Sequence, residues 1–285
     1  LEAYTAIYRQ NLLVAAELHT QLDNPYPPRQ RPRIGDLYAL ICFALTGMLL
    51  AAGSTSFVML FVAIELITIT FYVLTSLEAH RARSLEAGVK YLILGAASSA
   101  VMVFGIALIY GATGHLQFGE IAAMLAAYQL EHTLLFKLGI MLVLGGLAFK
   151  IAAVPFQLWA PDVYQAAPTP AAAWIASGSK VAGVALLIGM LSPLKDAALA
   201  ADIVWLLIAL AVFSIVAGNL GALRQSNLKR LLAYSAIANA GYILVAALVL
   251  TDTGARAALY YAVVYALSAL GFLAAAVELG AGGAK

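Results

Sequence analysis

Charge is scarce in this sequence. Lysine, arginine, aspartate and glutamate make up 11% of its 285 residues, where a soluble domain carries roughly a quarter. With 64% hydrophobic residues and a mean hydropathy of +0.93, the chain is a multi-pass membrane protein. Cysteine is almost absent. Cys42 stands alone in an apolar stretch, so the chain can form neither an internal disulfide nor a four-cysteine cluster. Histidine is sparse too. His19, His80, His115 and His132 fall in the N-terminal stretch or at loops and span edges, without metal-ligand spacing. No haem, iron–sulfur centre or zinc is expected here. The net charge of +2 is too small to suggest nucleic acid. Residue 1 is leucine and no signal-peptide pattern opens the chain, which reads as a processed product or a fragment.

What the sequence has instead is long apolar runs. Eight occur, at roughly 34–52, 57–77, 88–111, 132–164, 171–191, 203–223, 231–250 and 256–279. All but the fourth are close to the ~20 residues a helix needs to cross a bilayer. Polar loops at 111–131 and 192–202 separate neighbouring runs and favour helices over barrel strands. The expected fold is all-α and polytopic, with about eight transmembrane helices, one of them broken. Residues 1–33 differ: an amphipathic run to about Leu22, then Asp23-Asn24-Pro25-Tyr26-Pro27-Pro28, where the prolines exclude continuous helix. This is an extramembrane arm without chemistry of its own.

Positive charge alternates between connections. Arg29, Arg31, Arg33, Arg81, Arg83, Lys90, Arg224, Lys229 and Arg230 fall on one side; Lys137, Lys195 and Arg256 fall on the other. That asymmetry puts the richer side inside, and each span then crosses in alternation.

The fourth run carries the chemistry. It reads LLFKLGIMLVLGGLAFKIAAVPFQLWAPDVYQAAPTP from Leu134 to Pro170. Lys150 lies roughly 20 Å along a helix starting near Phe136, close to mid-membrane depth. Pro155 then breaks the helix and frees carbonyls, and the chain continues to Pro161-Asp162. Charge and open backbone at that depth persist only against protein or water. Glu65 and Lys180 also sit about halfway through their spans, and Ser177, Gly178 and Ser179 precede Lys180; small residues there let helices or water approach closely. One carboxylate and two lysines suggest a proton relay, because burial disfavours the ammonium while a nearby carboxylate favours it. A static ion pair fixing helix register is the alternative. It accounts for one lysine and leaves the second unpaired.

A second signature runs from Asn219 to Tyr242, NLGALRQSNLKRLLAYSAIANAGY. Ser226 or Asn227 can cap a helix there. Lys229, Tyr234, Ser235 and Asn239 then run polar into the span; Ser235 and Asn239 share a face. They read equally as hydrogen-bonded helix packing or as a water path. A shift of 170 residues sets AGVKYLILGAAS (87–98) on AALYYAVVYALS (257–268), with four identities. Those two helices cross in opposite directions by the charge rule, as inverted repeats do.

KIAAVPFQLWAPDVYQAAPTPAAAWIASGSK and NLKRLLAYSAIANAGY together resemble the antiporter-like membrane subunits of respiratory complex I, most of all the family of subunit N and mitochondrial subunit 2. GDLYALICFALTGMLLAAGS, ELITITFYVL and GVKYLILGAASSAVMVFGIALIYG agree, and the likeness covers about residues 35–279. It implies two inverted five-helix repeats, each with a broken helix: a complete one at 34–191, with the broken helix at 132–164, and a partial one of three helices at 192–285. It also implies a proton relay of Glu65, Lys150 and Lys180, with Pro155, Pro161 and Asp162 shaping the break. Gln157 and Asn239 stand where the family usually has histidine, which removes titratable groups from any path through them.

On that resemblance no cofactor is expected in the chain; NADH, FMN, iron–sulfur clusters and quinone would reside on partner subunits. The partners would be other complex I membrane subunits, including antiporter-like ones, lipid, and a separate chain supplying missing helices; nucleic acid would not be one. The membrane would be the bacterial cytoplasmic or mitochondrial inner one. The alternatives are a subunit of a cation/proton antiporter or membrane hydrogenase, and a structural subunit with an incomplete channel.

Overall fold

A computed structural model describes residues 34–78, 81–128, 133–194 and 200–282. The expectations for the arm at 1–33, His80, His132 and Lys195 lie outside the described residues. The fold is all-α. Its helices are α1 (Ile34–Ala52), α2 (Phe57–Thr75), α3 (Ala82–Thr113), α4 (Phe118–Tyr128), α5 (Leu134–Lys150), α6 (Trp159–Ala166), α7 (Thr169–Leu191), α8 (Ala200–Ala222), α9 (Leu228–Ala247) and α10 (Asp252–Gly282).

Seven of these, all but α4, α5 and α6, are long and apolar enough to cross a membrane. The pair α5–α6 makes the remaining crossing with residues 151–158 between them. Capping sets several starts. Thr133 accepts from the Phe136 amide at 3.4 Å, and Ser56 from the Met59 amide at 3.3 Å. Of the two expected caps for α9, Asn227 serves, accepting from the Arg230 amide at 3.1 Å. Close helix approach rests on glycine at one contact in particular. A Cβ on Gly105 of α3 would lie 2.7 Å from the Gly139 carbonyl of α5, so only hydrogen fits there.

The region 111–131 is not merely a polar loop. It folds into α4, because Phe118, Ile121 and Leu125 recur at helical spacing and bury one face. Phe118 meets Phe57 edge-on at 5.0 Å. At 11 residues α4 is too short to cross. Likewise α3 begins six residues before the expected 88, since Ser84 anchors its first turn to the Thr75 carbonyl at 2.5 Å.

Contacts between connections separate the two ends of the bundle. At one end Arg81, Arg83, Lys90, Asp162, Gln165 and Asn227 line a common cavity. At the other, Phe57 N–H donates to the Leu116 carbonyl at 3.0 Å, and Lys137 pairs with Asp202 at 2.8 Å. Arg81, Arg83 and Lys90 thus share one end, and Lys137 lies at the other, as the charge count grouped them.

Shifted by 170 residues, α2 and α3 fall within two residues of the bounds of α9 and α10. The edge-on pair Tyr72–Tyr91, with centroids 4.9 Å apart, recurs as Tyr242–Tyr261 at 6.3 Å.

The sidedness is open to a direct check. With Cys42→Ser as background, Ser226→Cys at the basic end and Gly119→Cys at the other should react with a membrane-impermeant maleimide from opposite sides of sealed vesicles. Labelling of both from one side would overturn the arrangement of ends.

Candidate functional site

The break begins immediately after Lys150, four residues before Pro155. A proline ring crowds the carbonyl four positions back, which here belongs to Ile151, and α5 indeed ends with Ile151 as its cap. Ala152 takes a positive φ of 58° and the chain runs irregularly to Leu158. Pro161 is not part of the break. It sits in the first turn of α6, where its missing N–H costs nothing, and Asp162 follows in the same turn.

Lys150 points its Nζ into a small polar group between α2, α3 and α5. It donates to Thr68 Oγ1 at 3.1 Å and Ser99 Oγ at 3.3 Å. Glu65 Oε1 lies 3.9 Å away, too far for a direct hydrogen bond. Ser99 closes the gap by donating to Glu65 Oε1 at 2.5 Å. The hydroxyl therefore accepts from the lysine and donates to the carboxylate. The Lys150 side chain is 10% exposed and that of Glu65 24%.

Thr68 and Ser99 were not among the residues singled out from the sequence. Thr68 could have been found, since it lies three positions after Glu65 on the same helical face. Ser99 could not, because only the packing of α3 against α2 and α5 brings it there.

Lys180 is brought to the break but not to the carboxylate. Its Nζ donates to the freed Ile151 carbonyl and, at 3.4 Å, to the Ala236 carbonyl of α9. It is 1% exposed, and no carboxylate among the described residues pairs with it. The small residues before it serve packing. Ser177 and Ser179 bond back to carbonyls of α7, at 2.7 and 2.5 Å, while a Cβ on Gly178 would strike Met48 of α1 at 2.7 Å.

Aromatic rings hold the break from the outside. Tyr91 stacks on Trp159 at 4.4 Å and 9°, and the Trp159 indole donates to the Phe149 carbonyl at 3.0 Å. At the basic end Arg230 binds Asp162 at 2.8 Å and Gln165 at 3.1 Å, and Lys229 donates to the Ala167 carbonyl at 2.9 Å. Val154 N–H is taken by Ser214 of α8 at 2.8 Å. Half-buried Gln157 turns its Oε1 into the break, where it meets no donor among the described residues.

Of the second signature, Asn239 donates to Ser235 Oγ at 3.2 Å and accepts from Tyr261 of α10 at 2.8 Å. Both residues also line a cavity of about 520 Å³ between α9 and α10. Tyr234 packs against Gly221 of α8 instead.

The profile of the family described as "NADH:quinone oxidoreductase/Mrp antiporter, TM" matches residues 54–282. The chain belongs to this family. NADH-quinone oxidoreductase subunit N of Trichlorobacter lovleyi is 38% identical over 282 residues, which are 98% of this chain and 57% of that protein. The protein of the same name from Chloroflexus aggregans is 43% identical over 260 residues, covering 89% and 52%. Among solved structures, a chain of respiratory complex I from Thermus thermophilus with bound aureothin superposes with a TM-score of 0.71 at 37% identity, covering 84% of this chain and 50% of that one. A chain of the Mrp complex from Dietzia gives 0.70 at 20% identity over 82% and 43%, a likeness of fold alone. The chain spans about half the length of the relatives it matches.

The pair within the bundle should behave as a coupled unit. Lys150→Met should leave the Glu65 carboxylate without its cation and cost about 3 kcal/mol, the low end for breaking a buried pair because Glu65 keeps some exposure. Glu65→Gln on that background should recover part of the loss. Thermal unfolding of the four purified variants measures the coupling; additive shifts would dissolve the pair.

Proposed function

We propose that this chain is the proton-conducting part of a membrane subunit of an NADH:quinone oxidoreductase. The observation that carries the reading is the hydroxyl-bridged set Glu65–Ser99–Lys150 abutting a helix break. All three groups can take up and release a proton, and they are joined by two hydrogen bonds in a setting mostly shut off from solvent. Lys180 extends the set. Its amine rests on the carbonyl of the residue after Lys150. A carbonyl accepts a hydrogen bond without relaying a proton, so transfer between the lysines requires water in the break. Gln157 offers an acceptor there.

On this reading a change in the geometry or hydration of the break lets a proton move between Lys150 and Lys180. Ser235 and Asn239 would then guide water between α9 and α10, whereas Lys229, held on the Ala167 carbonyl, and Tyr234, packed on Gly221, stand outside that cavity. NADH, FMN, iron–sulfur clusters and quinone belong to partner subunits, and the driving change comes from quinone reduction there. The helix bounds repeated at 170 residues support two inverted repeats: one at 34–191, with its broken helix at 132–164, and three helices of another within 192–285. Other antiporter-like subunits are the neighbours expected of such a chain.

A relay needs a proton that leaves, whereas a static pair needs only charge. Lys150→Ala should lower proton uptake per NADH oxidised in vesicles carrying the assembled complex, by the share this chain contributes beside its antiporter-like neighbours. Lys150→Arg should do nearly the same, because arginine holds its proton up to pH ~12. Full pumping by the arginine variant in an intact complex would sink the relay and leave a structural ion pair.

A further inference from the structure

Two cavities lie along one face of α3. The first, about 590 Å³, opens at the basic end and is lined by Arg81, Arg83 and Lys90 facing Asp162 and Gln165 of α6. The second, about 270 Å³, is apolar and runs between Leu94 and Val101 of α3 and Gly145, Phe149, Phe156 and Leu158 of the broken segment. Arg83, Lys90, Leu94 and Val101 follow one another at seven, four and seven residues, so they form a single stripe. From Lys90 to Val101 the helix rises roughly 16 Å, about the hydrocarbon depth of one leaflet.

The two ends of the stripe have different needs. At the basic end, Arg81 pairs with Glu78, Lys90 with Glu86 and Asp162, and Arg230 with Asp162. Four cations including Arg83 thus face three carboxylates, an excess of one positive charge. Arg83 forms no ion pair among the described residues. In the apolar part, Leu158 is 71% exposed, and Leu94, Val101 and Phe156 are each at least 40% exposed.

We propose that this stripe binds one anionic phospholipid, its phosphate at Arg83 and Lys90 and an acyl chain laid along Leu94 to Val101 against Phe156 and Leu158. A soluble anion would satisfy the cations and leave the groove open. An amphiphile with the charge and the tail one leaflet apart satisfies both, and the basic end is the side whose leaflet draws cationic segments to anionic lipid. Ser98 lines the groove, donates to the Gly146 carbonyl at 3.4 Å and adjoins Ser99. The acyl chain would therefore seal the flank of the Glu65–Lys150 pair against the bilayer.

The test uses the intact complex in phosphatidylcholine vesicles doped with a phosphatidylglycerol whose acyl chain carries a diazirine at mid-length. After illumination, peptide mass spectrometry should place adducts on residues 94–101 and 145–158. Arg83→Gln with Lys90→Gln should cut them about tenfold or more, since both cations that would hold the phosphate are gone. Leu94→Trp keeps every charge and fills the groove, so it should also abolish them, and it carries the test if the double variant does not assemble. Equal labelling by a phosphatidylcholine probe with the same chain would overturn the proposal. So would displacement by inorganic phosphate, which marks a free-anion site. Cross-links to a neighbouring subunit in place of lipid adducts would overturn it as well, because protein would then cover the groove.

Discussion

An ammonium group held halfway across a bilayer must be met by polar atoms, and this fold holds two of them in successive crossing segments. Helical backbone has little to offer, since its carbonyls are already bonded. The sequence meets the demand in two ways. For Lys150 it supplies side chains, Thr68, Ser99 and Glu65, from the two helices packed against it. For Lys180 it supplies backbone. Pro155 forbids a continued helix, the Ile151 carbonyl loses its partner, and the amine takes the place of that partner.

The two amines therefore stand in different chemistry although they flank one peptide unit. Around Lys150 every partner can give or take a proton or rotate a hydroxyl. Around Lys180 the partners are carbonyls that only accept. On the proposed reading a proton can be traded with side chains at the first, whereas exchange at the second requires water. The break couples them mechanically, because the same residues that end α5 under Lys150 present the carbonyl to Lys180. Around it, the Tyr91–Trp159 stack, the Trp159–Phe149 bond and the Ser214–Val154 bond leave few ways for the break to rearrange. Its far end is tied to α9 by the Asp162–Arg230 pair, so a displacement of α9 has a direct route to the lysines.

Close packing makes room for this arrangement. Gly105 against Gly139 brings α3 near enough to α5 for Ser99 to reach Lys150. The same approach leaves the outer face of α3 carrying a basic end and an apolar middle, so one helix meets Lys150 on one side and carries an exposed stripe on the other. In the second half α9 and α10 repeat the bounds and the tyrosine pair of α2 and α3, but Ser235 stands where Glu65 would fall and Ala269 where Ser99 would. The polar groove there is built of hydroxyls and amides.

The crossing segments, their alternation and the broken helix were all legible in the sequence, because lipid demands some twenty apolar residues per crossing and tolerates charge or proline only for cause. The three intramembrane charges were legible for the same reason. The short helix α4 was missed because loop polarity hid its one apolar face. What tertiary structure alone decided was who meets whom. It paired Glu65 with Lys150 through Ser99, and it turned Lys180 to a carbonyl rather than the carboxylate. Helix periodicity names the residues on a face, but which faces meet depends on glycine contacts and ring stacking between segments far apart in the chain. No single stretch of sequence contains that information.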